Sequence, residues 1–322
     1  MPIIPDVGDA TSLLVTGASG FVGARVVRLA LEHGHSVTAL VRPGSQLHRL
    51  APVLREVELV ETDITDFEEL ERVVGRVRPH ACVHLAAVGA VVREDDLGRV
   101  LAANAEAPAR LAEALGQAGS TRLVTAGSSS EYGRVDGAMD ESRAARADDV
   151  YGVAKLAGGL LAAQTAARHG MKSAHLRLFS VYGPGEDGRR LVASVVDALL
   201  DRRPIDLTPG EQVRDFVYVD DAAEALLAAV ERPGLDGVTI NVGSGVQTTV
   251  RDLCETLAGI VGGHELLRFG ARPYRDGERF SWRASTDRAR RLLGWRAHTT
   301  LLDGLTATVA HARAERFAQV AA

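Results

Sequence analysis

The sequence lacks the features that direct a chain to an oxidising compartment, a membrane or a nucleic acid. Its 322 residues include only two cysteines, Cys82 and Cys254, and the apolar run around Cys82 predicts reduced core residues rather than a disulfide. No stretch is long enough to span a bilayer, and MPIIPDVGDA lacks the pattern of a signal peptide. The net charge of −5 gives no reason to expect nucleic acid or a membrane as partner. We therefore predict a cytoplasmic protein.

The composition is that of an ordinary globular chain, with 46% hydrophobic and 25% charged residues. The sequence has neither repeats nor low-complexity segments, and its length allows one large domain or two interleaved ones. Near-continuous apolar strands alternate with helical segments, which is typical of a parallel, doubly wound sheet. We predict a Rossmann α/β sheet of about seven strands over residues 1–181 and 213–245. A smaller α/β substrate domain would comprise residues 182–212 and 246–322.

The stretch Ser12–Gly23, SLLVTGASGFVG, has the order of a dinucleotide-binding βα unit. Gly17 would allow a sharp exit from the strand, and Gly20 would let backbone N–H groups approach a pyrophosphate. Gly23 would let the following helix pack close to the sheet. A glycine triplet alone is weak evidence, but here the strand and the helix flank it on both sides.

The end of the second predicted strand, Ser36–Val41, indicates which dinucleotide is bound. NAD-binding chains place a carboxylate there to hold the ribose 2′-hydroxyl. Here Val41-Arg42-Pro43 has none, and the Arg42 guanidinium matches the geometry of a 2′-phosphate. A solvated loop arginine is the simpler interpretation of Arg42 alone. The missing carboxylate favours NADP(H), with NAD as the alternative.

Tyr151 and Lys155 form a second group, because positions i and i+4 share one face of the helix predicted from about Val150 to His169. A neighbouring ammonium and an oxidised nicotinamide would both favour the phenolate of Tyr151. Ser128, which follows a predicted strand, could hydrogen-bond the same substrate oxygen. We predict that these three residues are catalytic.

Together these motifs resemble those of the extended short-chain dehydrogenase/reductases, the NAD(P)-dependent sugar epimerase/dehydratase family. The resemblance covers nearly the whole chain and is specific in combination. It rests on TGASGFVG, Asp63-Ile64, HLAA at residues 84–87, Asn104, Ser128 with Tyr151 and Lys155, RLFSVYGPG at 177–185, RDFVYVDD at 214–221, and ARRLLGW at 289–295.

The resemblance implies a nucleotide diphosphate sugar as substrate and a homodimer built on the helices Leu97–Leu115 and Val150–His169. Lys155 would hold the nicotinamide ribose and lower the pKa of Tyr151, while Arg214 and Arg275 would clamp the substrate diphosphate. The implied cofactor contacts are Gly17, Ser19, Gly20, Phe21, Val22, Gly23, Arg42, Asp63, Ile64, Leu85, Ala86, Ala87, Asn104, Tyr151 and Lys155. The implied substrate contacts are Ser129, Ser180, Arg190, Leu191, Arg214 and Arg275.

Two departures from the family pattern reduce the number of reactions that this chain is expected to catalyse. Dehydratases of the family carry an acid/base pair directly after the catalytic Ser or Thr, where this chain has Ser129 and Ser130, and Glu131 falls one place late. Since a serine hydroxyl is a poor base, a 4,6-dehydratase is disfavoured unless the backbone redirects Glu131. Ser180 stands where many members have an asparagine that contacts substrate, so the usual sugar pose is in doubt.

Three functions are compatible with this pattern. The favoured one is an NADPH-dependent 4-ketoreductase of a nucleotide-linked deoxysugar, since the stretch Gly210–Asp221 looks like that of bacterial 4-ketoreductases. The alternative is a nucleotide-sugar 4-epimerase, which would retain NAD and is therefore disfavoured by Arg42. A regulatory protein that binds NADP without catalysis is the third, and the presence of Ser128, Tyr151 and Lys155 argues against it.

Overall fold

The structure, a computed structural model, describes residues 11–89, 96–135, 137–275 and 277–321. The segment MPIIPDVGDA, in which the sequence predicts no signal peptide, lies outside these ranges. The strands are β1 (Ser12–Thr16), β2 (Ser36–Val41), β3 (Glu58–Glu61), β4 (Ala81–His84), β5 (Arg122–Ser128), β6 (Ala138–Met139), β7 (Lys172–Leu178), β8 (Ser180–Tyr182), β9 (Ile205–Leu207), β10 (Val213–Arg214), β11 (Phe216–Tyr218), β12 (Val238–Val242), β13 (Thr248–Thr249), β14 (Leu267–Phe269) and β15 (Arg283–Ala284).

The described residues form ten α-helices. They are α1 (Phe21–Glu32), α2 (Phe67–Val77), α3 (Leu97–Leu101), α4 (Ala107–Ala118), α5 (Val150–Arg168), α6 (Leu191–Leu200), α7 (Val219–Glu231), α8 (Val250–Val261), α9 (Asp287–Leu293) and α10 (Leu301–Ala321). Among them, none is both long and apolar enough to cross a membrane.

A seven-stranded parallel sheet carries the fold, in the order β12-β7-β5-β4-β1-β2-β3. Helices α1 and α7 pack on one face, and α2, α4 and α5 pack on the other. The predicted doubly wound Rossmann sheet is therefore confirmed. The strand order reverses between β1 and β4, and the carboxyl ends of strands at such a point form a crevice for ligands.

The long helix predicted over Leu97–Leu115 is interrupted. It consists of α3, a π-helical turn at Ala102–Glu106, and α4. Pro108 has no N–H to donate to the Asn104 carbonyl, so the regular helical hydrogen bond cannot form there. The buried Asn104 side chain instead bonds the main chain of Val88, accepting from its N–H at 3.0 Å and donating to its carbonyl at 2.8 Å.

Candidate active site

The turn between β1 and α1 presents free N–H groups to a ligand. Gly17 has φ +66°, and a Cβ there would lie 2.7 Å from the Ala86 nitrogen, so only glycine lets the turn pass the end of β4. No side chain caps α1 at Gly20, and its first turn holds no acidic residue. These open donors fit the pyrophosphate of a dinucleotide. The predicted contacts Gly17, Ser19, Gly20, Phe21, Val22 and Gly23 all lie in this turn or the first turn of α1.

Thr16 fixes the segment that follows β4. Its hydroxyl lies 2.8 Å from His84 Nδ1 and accepts hydrogen bonds from the Leu85 and Ala86 N–H groups at 3.2 and 3.3 Å. Leu85 and Ala86 are partly buried and Ala87 is exposed, so this segment borders the crevice beside the glycine turn. Sequence reasoning did not single out Thr16, although it is the residue directly before Gly17.

Arg42 and Asp63 lie together at the carboxyl ends of β2 and β3. The Thr62 N–H donates to the Val41 carbonyl at 2.8 Å, which joins the two strand ends. Burial alone would raise the pKa of Asp63, but hydrogen bonds from Thr65 and the Arg42 charge lower it. Arg42 is exposed and Ile64 is at the limit of burial, so an adenosine placed here would meet both a cation and an apolar side chain.

Ser128 and Tyr151 are brought together by two elements. Ser128 is the last residue of β5. Asp149 caps α5 by accepting from the Gly152 N–H at 2.6 Å. A Cβ on Gly152 would lie 2.6 Å from the Ser130 carbonyl oxygen, so α5 starts directly against the turn after β5. The Tyr151 phenol thereby reaches the Ser128 hydroxyl.

Burial dominates the electrostatics of Tyr151 and Lys155. Desolvation of the partly buried Tyr151, with the Glu131 charge, raises the pKa of the phenol to about 12, although Arg190 and the Ser128 hydrogen bond oppose this. Burial lowers the pKa of Lys155, which is 4% exposed, to about 8. In the protein chain by itself the pKa of Tyr151 is therefore raised overall, and the lowering by Lys155 stays a prediction. An oxidised nicotinamide would contribute its positive charge in addition.

Glu131 does not face the reacting groups. Its carboxylate is fully buried and accepts from the Ser128 N–H at 2.7 Å, from Arg177 Nε at 2.7 Å and from His175 Nε2 at 3.0 Å. Burial would raise the pKa of Glu131, but His175, Arg177 and the Ser128 N–H lower it to about 2. The backbone therefore directs this carboxylate into the interior of the protein.

Arg190, in the segment before α6, interacts with Tyr151 and pairs with Glu186. Glu186 Oε1 accepts from Arg190 Nε at 2.7 Å, and its other oxygen is buried without a partner. Burial raises the pKa of Glu186 to about 7, even though Arg190 lowers it. The Arg190 charge reaches Tyr151, and Leu191 begins α6 beside it. Two other predicted substrate contacts come from different segments of the chain. Ser129 is buried in the turn after β5, and Ser180 begins β8.

Arg214 and Arg275 line one cavity of about 320 Å³, as their predicted role requires. Arg214 is engaged already, because its guanidinium pairs with Glu278 and donates to the Arg279 carbonyl at 2.7 Å. Arg279 pairs with Asp148 and, at 3.0 Å, with Asp149. The cavity is lined by Arg134, Asp148, Asp149, Arg214, Arg275, Gly277, Glu278, Arg279 and Trp282.

Trp282 lies between two of these cations. The Arg214 and Arg279 guanidinium carbons are 5.3 and 4.8 Å from the centroid of its ring. Cations at these distances interact favourably with an indole face. Sequence reasoning missed Trp282, Arg279 and Arg134. In the sequence, the one signal for Arg279 is its position four residues after another arginine, Arg275.

Known proteins resemble this chain in sequence and in fold. The model of the NAD dependent epimerase/dehydratase family matches residues 13–243. A UDP-glucose 4-epimerase of Mycolicibacterium smegmatis is 33% identical over 307 residues, which cover 92% of this chain and 96% of that protein. A dTDP-glucose 4,6-dehydratase of Streptomyces niveus is 30% identical over 312 residues, covering 92% and 91%.

The fold matches solved structures over the same length. The structure of MoeE5 in complex with UDP-glucuronic acid and NAD superposes with a TM-score of 0.85 at 30% identity, covering 94% of this chain and 99% of that one. The glycine turn, the site at Ser128, Tyr151 and Lys155, and these matches lead to one assignment. The chain is an enzyme of the NAD dependent epimerase/dehydratase family, within the extended short-chain dehydrogenases/reductases.

Proposed function

We propose that this enzyme is a nucleotide-sugar 4-epimerase. The observation that carries the proposal is the position of Glu131, whose carboxylate is held by three donors in the interior. Elimination of water from a sugar needs a base beside a carbonyl, and the positions for it hold Ser129 and Ser130. The site around Tyr151 is thus suited to moving a hydride and a proton at a single carbinol centre, and the epimerase relative supports this choice.

Each residue of the site has a separate role in the proposed reaction. A bound nicotinamide supplies a reversible hydride acceptor. The Tyr151 oxygen takes the proton of the sugar hydroxyl and later returns it, while Ser128 donates a hydrogen bond to the same sugar oxygen. The Lys155 ammonium holds the ribose of the cofactor. Arg190, whose charge reaches Tyr151, stabilises the phenolate that forms when the proton is released.

The cavity at Arg214 and Arg275 would hold the substrate diphosphate. Arginine forks bind phosphate oxygens through paired hydrogen bonds. Since Arg214 is paired with Glu278, an entering diphosphate would share this arginine with the carboxylate or displace it. We place the nucleotide sugar between this cavity and Tyr151, with contacts from both predicted regions of the chain.

The assay for the proposal uses UDP-glucose, UDP-galactose and their dTDP counterparts with the purified enzyme. Interconversion of the C4 epimers without net change in nicotinamide absorbance supports the epimerase. Loss of water to a 4-keto-6-deoxy sugar would contradict the argument from Glu131.

A second candidate, the NADPH-dependent 4-ketoreductase, is favoured by Arg42. Its guanidinium follows β2 directly and lies near Asp63, at the corner proposed for the adenosine. A reductase consumes NADPH in step with the reduction of a 4-keto-6-deoxy nucleotide sugar, so the same absorbance assay distinguishes the two functions.

Replacing Arg42 with alanine tests the cofactor preference. Under this second function, NADPH binding should weaken by roughly 1.5–3 kcal/mol, the scale of a hydrogen bond to a charged group, because a 2′-phosphate would lose its cation. NADH binding should hardly change, which makes the NADH titration the internal control. Fluorescence titration of both nucleotides measures the effect. Tighter binding of NADH than of NADPH by the unaltered enzyme would refute the assignment of Arg42.

We also propose that the enzyme is a homodimer formed through α3 and α5. Large apolar side chains on these helices are exposed, with Leu160 exposed by 59%. They are Leu97, Leu101, Val150, Val153, Leu160 and Leu161. Such a face can pair with itself across a two-fold axis.

Leu160→Glu is expected to dissociate this dimer, because a carboxylate would enter an apolar interface. Sedimentation should give about twice 34.1 kDa for the unaltered protein and about 34.1 kDa for the variant. Leu302→Glu, at a similarly exposed leucine on α10, is the control and should leave the mass unchanged. An unaltered protein that sediments as a monomer at micromolar concentration excludes the dimer.

A further inference from the structure

A buried polar network lies beneath the catalytic residues and joins β5, the turn after β5 and β7. Glu131, in the turn after β5, binds the Ser128 N–H and the side chains of His175 and Arg177 on β7. His175 Nδ1 lies 2.8 Å from the Thr125 hydroxyl of β5. Each of these side chains is less than one-tenth exposed.

Two glycines leave the space that this network occupies. A Cβ on Gly127 would lie 2.3 Å from His175 Nε2 and 2.5 Å from Glu131 Oε1. A Cβ on Gly159 of α5 would lie 2.4 Å from the His175 ring. Both β5 and α5 therefore approach the network as closely as a backbone can, and α5 is the helix that carries Tyr151 and Lys155.

We propose that Glu131 is a positioning residue, which anchors the Ser128 main chain to β7 and supplies the negative charge that Lys155 faces. Its oxygens are saturated by donors, so it takes no proton from a substrate. The anchoring explains how Ser128, at the very end of a strand, keeps its place beside Tyr151. The charge matters because a buried ammonium needs compensation to remain protonated.

Lys155 is buried and lies one helical turn before Gly159, on the face of α5 that contacts His175 of the network. Burial lowers its pKa to about 8, and the Glu131 charge acts in the opposite direction. His84 of β4 also faces Lys155, but burial, Lys155 and His175 lower the pKa of that imidazole to about 3, so it stays neutral. Tyr151, on the same helix, is neutral near pH 7 in the chain alone. Among the described groups near Lys155, Glu131 is thus the negative charge.

The chain allows a direct test, because it contains only two lysines, Lys155 and Lys172. Protein labelled with carbon-13 at the lysine Cε gives two signals, and Lys172→Arg identifies the signal of Lys155. In the unaltered protein the Lys155 signal should titrate near pH 8. In Glu131→Gln the midpoint should fall by about 1 pH unit or more, since the nearby negative charge is gone.

Arg177→Met is the matched variant. It damages the same network but keeps the Glu131 charge, which the Ser128 N–H and His175 continue to hold. We expect the Lys155 midpoint to stay or to rise. A purely structural role of Glu131 would move both midpoints alike, and that result would overturn the proposal. If Glu131→Gln does not fold, a falling midpoint in Arg177→Met overturns it by itself.

The part of the inference that concerns catalysis rests on the proposed function. Glu131→Gln should lower kcat more than it raises KM for the nucleotide sugar, and the activity lost should grow as the pH rises from 6 to 8. The lysine titration requires no turnover, so an inactive enzyme with the expected midpoints would refute the epimerase and leave the role of Glu131 standing.

Discussion

Tyr151→Phe is expected to lower kcat by roughly 10²–10⁴-fold while leaving the affinity for the nucleotide sugar unchanged. The phenol acts on a proton that moves only during reaction, so its loss raises the barrier without removing a contact of the bound substrate. Because burial and the Glu131 charge raise the pKa of Tyr151, the hydroxyl stays protonated when no cofactor is bound. Steady-state kinetics with a separate binding titration measures both quantities.

Ser128→Ala is the companion variant for this prediction. It removes one hydrogen-bond donor to the sugar oxygen and leaves the proton-transfer group, so its loss should be the smaller of the two, about 10²-fold. Equal losses would mean that Ser128 and Tyr151 act as one unit. If Tyr151→Phe retains full activity, Tyr151 is not the proton-transfer group and the catalytic argument fails.

The sheet and the cofactor turn could be predicted from sequence because their signals are local. The strand at Ser36–Val41 begins and ends where the apolar pattern of the sequence predicts. Gly17 is required by its positive φ and by the approach of Ala86, and Gly23 because a Cβ there would lie 2.2 Å from the Gly17 carbonyl oxygen. Each of these features is specified by a few consecutive residues.

The long helix predicted over residues 97–115 shows where local signals are insufficient. Periodicity alone continues through the segment, but Pro108 removes one helical donor and Asn104 bonds the main chain of Val88. That partner is 16 residues away, so the pattern within the helix does not contain it. The π-helical turn thus combines Pro108, which is visible in the sequence, with a tertiary contact, which is not.

The sequence predicts which residues form the candidate site, but it does not predict the direction of their pKa shifts. The spacing of Tyr151 and Lys155 places them on one face, yet the direction of the Tyr151 pKa depends on desolvation, which no spacing reveals. Glu131 illustrates the same limit. Its position in the sequence leaves open whether it faces substrate, and only its contacts with β7 decide that it does not.

Lys155→Met should weaken cofactor binding by about 1.5–3 kcal/mol at pH 6–7, the range for hydrogen bonds to a charged group. The pKa of Lys155 is lowered by burial to about 8, so the ammonium is present below that pH and is lost as the pH rises through it. The difference in affinity between the unaltered enzyme and the variant should therefore shrink above pH 8. Removing this charge also raises the pKa of Tyr151 and moves the pH optimum upward.

Lys172→Met provides the control for this result, because it removes the other lysine of the chain. Lys172 is the first residue of β7, so it lies at the end of the sheet opposite Ser128. Its side chain is half-exposed and pairs with Asp236 at 2.6 Å. Calorimetric titration of the cofactor between pH 6 and 9.5 should give identical affinities for this variant and the unaltered enzyme. A pH-independent deficit in Lys155→Met would instead mean that the side chain acts by packing, because loss of a charged contact must vanish once the unaltered lysine is neutral.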